Sequence, residues 1–351
     1  MGIAEGARRL GLPVPWVWGL VVFFVGSGLF LGRARIGLAD HHRHDAMIRF
    51  VDIPYYVHWC AVIFALVPSV LCLLAAPFVG VPSGALLWIY LTGLVVSGYG
   101  VLIRRRVFRI ARVEVPIVGL DKAFDGYRIA QLSDLHIGAL TPKTWGFRWT
   151  RAANALGVDL AVVTGDMVTS GTEFHADIAE VVATLKAKDG VVVSMGNHDY
   201  FGNGEPMISM IRDTGALVLR NEGLVLERDG KQLYLAAIDD TWTKRADLDL
   251  ALAGRPEGVR TVLLAHDPDE FRAASKRDVD LVLSGHTHGG QIAMPFFAKY
   301  LNLSMLSHGY HLGIYKRGRC TLYVKPGLGT TGPPIRIGAA PAVALITLRA
   351  V

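Results

Sequence analysis

The chain has 351 residues, 52% of them hydrophobic, and a formal net charge of +6. That length accommodates two units of ordinary size. Three scattered cysteines, Cys60, Cys72 and Cys320, exclude a disulfide framework or a thiolate zinc site. The basic excess sits largely in short flanks beside uncharged runs, which argues for membrane orientation and against nucleic-acid binding.

From Leu10 to Gly32 there is no Asp, Glu, Lys or Arg, and Ile53 to Ile103 is a run of 51 residues with none. A helix needs about 20 apolar residues to cross a bilayer. The first run predicts one span at about 14–31, and the second predicts two, at about 56–76 and 85–103. The joint APFVGVPSG suits a short loop. Buried soluble helices are the alternative for all three, and so long an uncharged stretch argues against them. A cleaved signal peptide is the alternative for the first run, but no small-x-small pattern follows it.

Three spans place the N-terminal tail, with Arg8 and Arg9, on one side. The other side carries nine arginines: Arg33, Arg35, Arg43, Arg49, Arg104, Arg105, Arg106, Arg109 and Arg112. By the positive-inside rule the following unit lies on the cytoplasmic side of a bacterial inner membrane. The expected organisation is a membrane region over 1–109 and a soluble unit over 110–351. His41, His42 and His44 read as a solvated membrane flank, and His58 as a residue at headgroup level.

Beyond Tyr127, short apolar runs alternate with helical patterns. RIAQLS, DLAVVTG, GVVVSMG, RTVLLA and VDLVLSG read as buried strands. TWGFRWTRAANAL, ADIAEVVATLKAK and EFRAASKR read as helices between them, which predicts an α/β core with partly parallel strands. LVLERDGKQLYLAAI predicts a hairpin across Asp229-Gly230, and CTLYV and VALITL predict closing strands.

Each of the five strands ends on potential metal ligands: Asp134 and His136; Asp166; Asn197, His198 and Asp199; His266 and Asp267; His286 and His288. Ligands collect beyond the carboxyl ends of strands in open α/β sheets, and five such endings are hard to explain as solvated turns. Asp, His and Asn without cysteine favour manganese, iron, zinc or magnesium. Extended backbone would put Asp134 and His136 on one face, so that both reach one ion. The two oxygens of Asp166 allow it to bridge two ions, and Gly165 permits close backbone approach.

Taken in order, Asp134-Leu-His136, Gly165-Asp166, Gly196-Asn197-His198-Asp199, His266 and Gly285-His286-Thr287-His288 resemble the motif set of the calcineurin-like metallophosphoesterases. The resemblance runs from about Ile110 to Val351 and is closest to the bacterial membrane-associated branch, on FDGYRIAQLSDLHIG and GLGTTGPPIRIG. It implies a four-layer αββα sandwich, here preceded by about three transmembrane helices. It also implies two divalent metal ions, manganese first among the candidates. One would take Asp134, His136, Asp166 and His288, and the other Asp166, Asn197, His266 and His286. His198 would stabilise or protonate the phosphoester, with Asp199 orienting it. The implied reaction is hydrolysis of a phosphodiester or pyrophosphate by a metal-bridging hydroxide. The membrane runs suggest a lipid-linked substrate, and some relatives in this branch cleave the pyrophosphate of UDP-diacylglucosamine. A soluble nucleotide or nucleic-acid substrate, or a sensor with an unused site, are the alternatives.

His175 is expected on a helix surface, and Asp267, left out of the site, either behind a ligand or at a helix start; His308 and His311 are expected near the site. MPFFAKYLNLSML, from Met294 to Leu306, reads either as core or as a lip that dips toward a membrane or holds an acyl chain. The glycines after Lys325 predict a turn near the site.

Overall fold

The computed structural model describes residues 43–80 and 84–351, with positions 8, 10 and 28. They form two compact units, residues 43–104 and 105–351. Among the described residues, two helices are long and apolar enough to cross a membrane by length and composition: α1 (Asp45–Val79, 35 residues) and α2 (Ala85–Arg106, 22 residues). The expected span at 14–31 lies outside the described residues except for position 28, so among the described residues there are two apolar helices where the sequence predicts about three. Helix α1 starts well before the predicted residue 56. Near that early start Arg43 pairs with the buried carboxylate of Asp52 at 2.9 Å. It stops at Gly80, which adopts φ 64°, a left-handed turn natural to glycine. Gly93 of α2 faces Ala61 of α1, and a Cβ there would stand 2.7 Å from the Ala61 carbonyl oxygen. A small residue thus lets the two backbones approach, as in packed membrane helices. His58, expected among headgroups, bonds to Tyr90 of the neighbouring helix at 2.7 Å.

The second unit contains two six-stranded sheets. The first runs in the order β1 (Arg109–Ile117), β12 (Ala342–Ala350), β2 (Arg128–Leu132), β3 (Leu160–Thr164), β4 (Val191–Ser194), β5 (Leu217–Val218). The second runs β10 (Gly313–Arg317), β11 (Cys320–Val324), β9 (Leu281–Ser284), β8 (Arg260–Leu264), β7 (Lys231–Ala237), β6 (Glu222–Arg228). Strands β2 to β5 are mutually parallel, as are β7, β8, β9 and β11. The predicted hairpin forms with Arg228 opposite Lys231, and Asp229 and Gly230 both take positive φ.

Strand alternation builds three apolar layers. Ile129, Val162, Leu264 and Leu283 face the space between the sheets. Their neighbours Ala130 and Val163 face the other way, against Trp149 of α3 (Lys143–Asn154), Ile178 of α4 (His175–Ala183) and Ile208 of α5 (Glu205–Asp213). On the second sheet, Leu263 and Val282 pack against Ala251 of α6 (Leu248–Leu252) and Phe271 of α7 (Phe271–Ala274). The result is the α-β-β-α sandwich. Helix α3 buries Gly146, Trp149, Thr150 and Ala153, a spacing that presents one stripe to the core. His175 differs from expectation: it opens α4 from a buried position, 2% exposed.

All the strands predicted to carry ligands end at the same edge of the sandwich. Gln131, on the face of β2 between the sheets, donates to Thr164 Oγ1 at 2.9 Å and to the Ser284 carbonyl at 3.2 Å. One buried amide therefore ties the ends of β3 and β9 together beneath the site. Leu264→Ala is expected to cost about 2–5 kcal/mol, because the space between two close-packed sheets collapses poorly. Denaturant unfolding followed by tryptophan fluorescence checks this; a loss below about 1 kcal/mol would contradict the packing described.

Candidate metal centre

Five of the predicted ligands do not lie on extended backbone. Asp134, His136, Asp166, His286 and His288 have φ of 51°, 44°, 52°, 69° and 53°. The expected extended geometry at Asp134 and His136 is thus corrected: left-handed turns at the strand ends re-aim these side chains. Each such residue costs roughly 1–3 kcal/mol unless its surroundings impose the conformation. Here the amides of Asp134 and His136 donate to the carbonyls of Gly165 and Asp166, at 3.0 and 3.1 Å. The turn after β2 is pinned to the turn after β3.

Two groups of donor atoms result, Asp134, His136, Asp166 and His288, and Asp166, His266 and His286, each within 4.8 Å internally. His136 Nε2 lies 3.0 Å from His288 Nε2 and 3.6 Å from Asp166 Oδ2. His288 Nε2 is 3.5 Å from Asp134 Oδ1, and His266 Nε2 is 3.1 Å from Asp166 Oδ2. Ligands bound at about 2.0–2.2 Å to one ion stand roughly 3–3.5 Å from one another in tetrahedral or octahedral geometry, so these separations suit shared coordination. Asn197 is buried beside this set, and its Oδ1 has no hydrogen-bond partner. Buried acceptors without partners are costly unless something else satisfies them.

The electrostatics favour cations. Burial pushes the Asp134 carboxyl up, helped by the negative Asp166. Burial pushes Asp166 up as well, but His266, His136 and His198 outweigh it and hold the carboxylate well below its usual range. Burial lowers His136 to about 3 and His286 to about 4, and drives His288 well down, so their rings are neutral and available as ligands at neutral pH. His266 is the exception. Burial pulls it down, yet the adjacent Asp166 carboxylate pushes it up to about 10. Its Nδ1 lies 2.8 Å from the Thr164 carbonyl, which orients Nε2 toward Asp166.

The structure places Asp199 differently from the sequence reading. Its carboxylate accepts from the amides of Asp166 (3.0 Å), Gly196 (2.9 Å), Met167 (2.7 Å) and Val168 (3.3 Å). Three of these amides come from the turn after β3 and the fourth, Gly196, from the turn after β4, so Asp199 holds those turns together rather than orienting His198. The atom behind His198 is the Thr169 carbonyl, 2.6 Å from Nδ1. Of the two readings of Asp267 the structure shows the helix start: it caps a short helix through the Asp269 amide at 2.9 Å. His308 packs edge-on against His286 at 5.2 Å, and His311 bonds the Lys299 carbonyl at 2.8 Å.

Sequence reasoning missed two cations. Strand β11 is a sixth carboxyl end at this edge, and it delivers Lys325, fully buried, with burial lowering its ammonium to about 7 and Asp134 opposing that shift. Arg336 is also fully buried and reaches the carbonyls of Pro326 (2.6 Å) and His288 (2.9 Å). It thereby clamps the glycine-rich turn against the last histidine. A basic residue closing an otherwise apolar Gly/Pro-rich strip was the available signal. That turn lies against Asp134, as the glycines suggested: a Cβ on Gly327 would stand 2.7 Å from Asp134 Cβ.

A shared carboxylate between two Asp/His groups, at the strand-end edge of an αββα sandwich, defines a candidate two-metal hydrolase. Residues 127–290 match the calcineurin-like phosphoesterase family, a span that includes every candidate ligand. The chain is 31% identical over 234 residues to the uncharacterised metallophosphoesterase YkuE of Bacillus subtilis (strain 168), covering 66% of this chain and 82% of that protein. It is 34% identical over 242 residues to an uncharacterised metallophosphoesterase of Helicobacter pylori (strain ATCC 700392 / 26695), covering 67% of this chain and 63% of that one. To a transmembrane protein with metallophosphoesterase domain of Danio rerio it is 30% identical over 269 residues, 73% of this chain and 60% of the relative. The chain belongs to the calcineurin-like metallophosphoesterase family and is a metal-dependent phosphoester hydrolase.

Two outcomes follow. A cation reaching His266 Nε2 displaces the proton held there below about pH 10, so metal affinity rises with pH with a logarithmic slope of about one. Titration calorimetry at pH 8 in buffers of different ionisation heat should record that proton; no release would contradict the pairing. Asp199→Asn replaces one acceptor oxygen by a donor against backbone amides and is expected to cost about 1–3 kcal/mol. Thermal unfolding of the metal-free protein reads this, and an unchanged midpoint would contradict the role given to Asp199.

Proposed function

We propose that the chain is a membrane-bound phosphodiesterase or pyrophosphatase that works with two divalent cations and acts on a lipid-linked substrate. The carrying observation is the position of Asp166 Oδ2, 3.6 Å from His136 Nε2 and 3.1 Å from His266 Nε2, which gives both ligand groups a common oxygen. In this reading Asp134, His136, Asp166 and His288 hold one ion, and Asp166, Asn197, His266 and His286 hold the other. The unpartnered Asn197 Oδ1 fits that assignment. Oxygen and nitrogen donors without thiolate suit manganese first, then iron, zinc or magnesium. When bound, such a pair neutralises phosphoryl oxygens and acidifies water into a nucleophile at neutral pH.

The remaining work belongs to the chain. His198 is half-buried, with Nδ1 held by the Thr169 carbonyl and Nε2 3.4 Å from Thr331 Oγ1. The carbonyl at Nδ1 fixes the ring, leaving Nε2 as the atom that would pass a proton to the departing oxygen. Asp199 keeps the Asp166 turn in place and so fixes the bridging carboxylate. Arg336 and Lys325 add buried positive charge behind His288 and Asp134. The apolar helices support a substrate drawn from the membrane, and the arginine count favours a cytoplasmic site.

His198→Ala is expected to lower turnover by about 10²–10⁴-fold while leaving the bound metal unchanged. The assay uses purified protein with Mn²⁺ and compares bis-p-nitrophenyl phosphate, p-nitrophenyl phosphate and UDP-diacylglucosamine in detergent. Hydrolysis of the diester and of the lipid pyrophosphate supports the reading. Diester turnover without lipid turnover would contradict the lipid link, and no hydrolysis with Mn²⁺, or with Fe²⁺, Zn²⁺ or Mg²⁺ in its place, would contradict the mechanism.

A further inference from the structure

Met294–Leu306 follows the last histidine pair directly, and the structure removes one of its two sequence readings: it is not core. Phe296 is 101% exposed, Leu306 84% and Tyr300 68%, with Met294, Phe297 and Leu303 all more than half exposed. Soluble surfaces rarely gather so many large apolar side chains in so short a stretch without a partner. The backbone beneath them is ordered. The Phe297 amide donates to the Met294 carbonyl at 3.0 Å, and the Met294 amide to the Leu301 carbonyl at 2.8 Å. Asn302 Nδ2 donates to the Ala298 carbonyl at 2.7 Å, while its Oδ1 accepts from the Met305 amide at 3.1 Å. Phe296 itself holds φ 67°, a conformation that a phenylalanine adopts only when its surroundings impose it. The chain thus maintains a braced loop whose apolar side chains point outward.

The sequence through this loop carries charge of one sign. Between Leu281 and Val351 there is no Asp or Glu, while Lys299, Lys316 and Arg317 fall near the loop in sequence; Arg319 is taken up by Asp278 and Asp280, at 3.4 and 3.5 Å. The exposed Lys299 lies over the Tyr315 ring of β10 at 5.6 Å, and Arg317 shares the Tyr315 face of that edge strand by alternation. Aromatic and long aliphatic side chains next to lysine and arginine are the composition that settles at a bilayer interface and prefers anionic headgroups. The chain also tethers this unit to the apolar helices: β1 starts at Arg109, just after α2 ends at Arg106.

We infer that Met294–Leu306 is a docking lip that seats the catalytic unit on an anionic lipid surface, its aromatic and aliphatic side chains entering the headgroup–acyl boundary. The lip is continuous with the metal centre. Thr287 Oγ1, between the two histidines, donates to the His311 carbonyl at 2.7 Å, and a Cβ on Gly290 would stand 2.6 Å from the Leu303 amide. Docking therefore brings the site to headgroup level, where a phosphoester attached to lipid is presented without leaving the bilayer.

The test uses the full chain reconstituted in phosphatidylcholine vesicles, with and without phosphatidylglycerol. Cys72→Ser removes the one native cysteine that is not buried. Phe296→Cys, or Leu306→Cys as a second reporter, carries an environment-sensitive fluorophore. Leu250→Cys on α6, which packs against the far edge of the same sheet, is the control. Acyl-chain spin-labelled lipid should quench the 296 and 306 probes strongly and the 250 probe weakly. Quenching should increase with phosphatidylglycerol and fall in Lys299→Glu. Equal quenching at 296 and 250, or none at 296 and 306, would overturn the proposal. Cross-linking between copies at 296 in place of quenching would also overturn it and make the loop a self-association surface. Adding Asp166→Asn should leave the quenching unchanged, so the result stands apart from whether the metal centre hydrolyses lipid-linked phosphoesters.

Discussion

The structure of this site depends on where one carboxylate is held. Asp166 follows Gly165 in a left-handed turn, fully buried, with Oδ2 beside His136 and His266 and Oδ1 accepting the His198 amide at 2.9 Å. A buried carboxylate among neutral groups would take up a proton. Among these histidines it stays ionised, and it keeps His266 protonated in return. The pair is an internal counter-ion arrangement in which cations can take the place of the proton.

Holding that carboxylate requires the rest of the edge. Asp199 gathers the amides around the Asp166 turn, Gln131 links the two sheets directly below, and Arg336 fastens the glycine-rich turn to His288. Asp199 joins the turns after β3 and β4, Arg336 joins those after β9 and β11, and Gln131 joins the two sheets, so the site exists only when both are assembled. The left-handed backbone at five candidate ligands belongs to the same economy of geometry: a strand running straight on would carry these side chains away from one another. The αββα sandwich supplies a rigid floor, and the turns above it hold the strain.

Much of this was legible before any coordinates. Buried parallel strands are continuous apolar runs, so RIAQLS, DLAVVTG and the three others stood out, and their endings named Asp134, Asp166 and His286 in order. The hairpin at Asp229-Gly230 carried its own turn signal. What stayed hidden depends on direction and long-range contact. Asp199 sits beside His198 in sequence, but a tight turn sends the two side chains apart, toward backbone amides and the Thr169 carbonyl. Lys325 and Arg336 are single cations whose importance comes from burial against residues far away in the chain. Met294–Leu306 has a composition that suits a core as well as an interface, and only its exposure separates the two. Helix α1 begins earlier than hydropathy predicts, in a stretch where an ion pair buries Asp52.

The central claim is that Asp166 is common to two cation sites. Metal content of the purified wild-type chain and of Asp166→Asn, saturated with Mn²⁺ and then freed of excess by gel filtration, tests it most directly. The account predicts two ions retained per wild-type chain and one or none in the variant, with the fold intact by circular dichroism. Two ions retained as tightly in Asp166→Asn would contradict it.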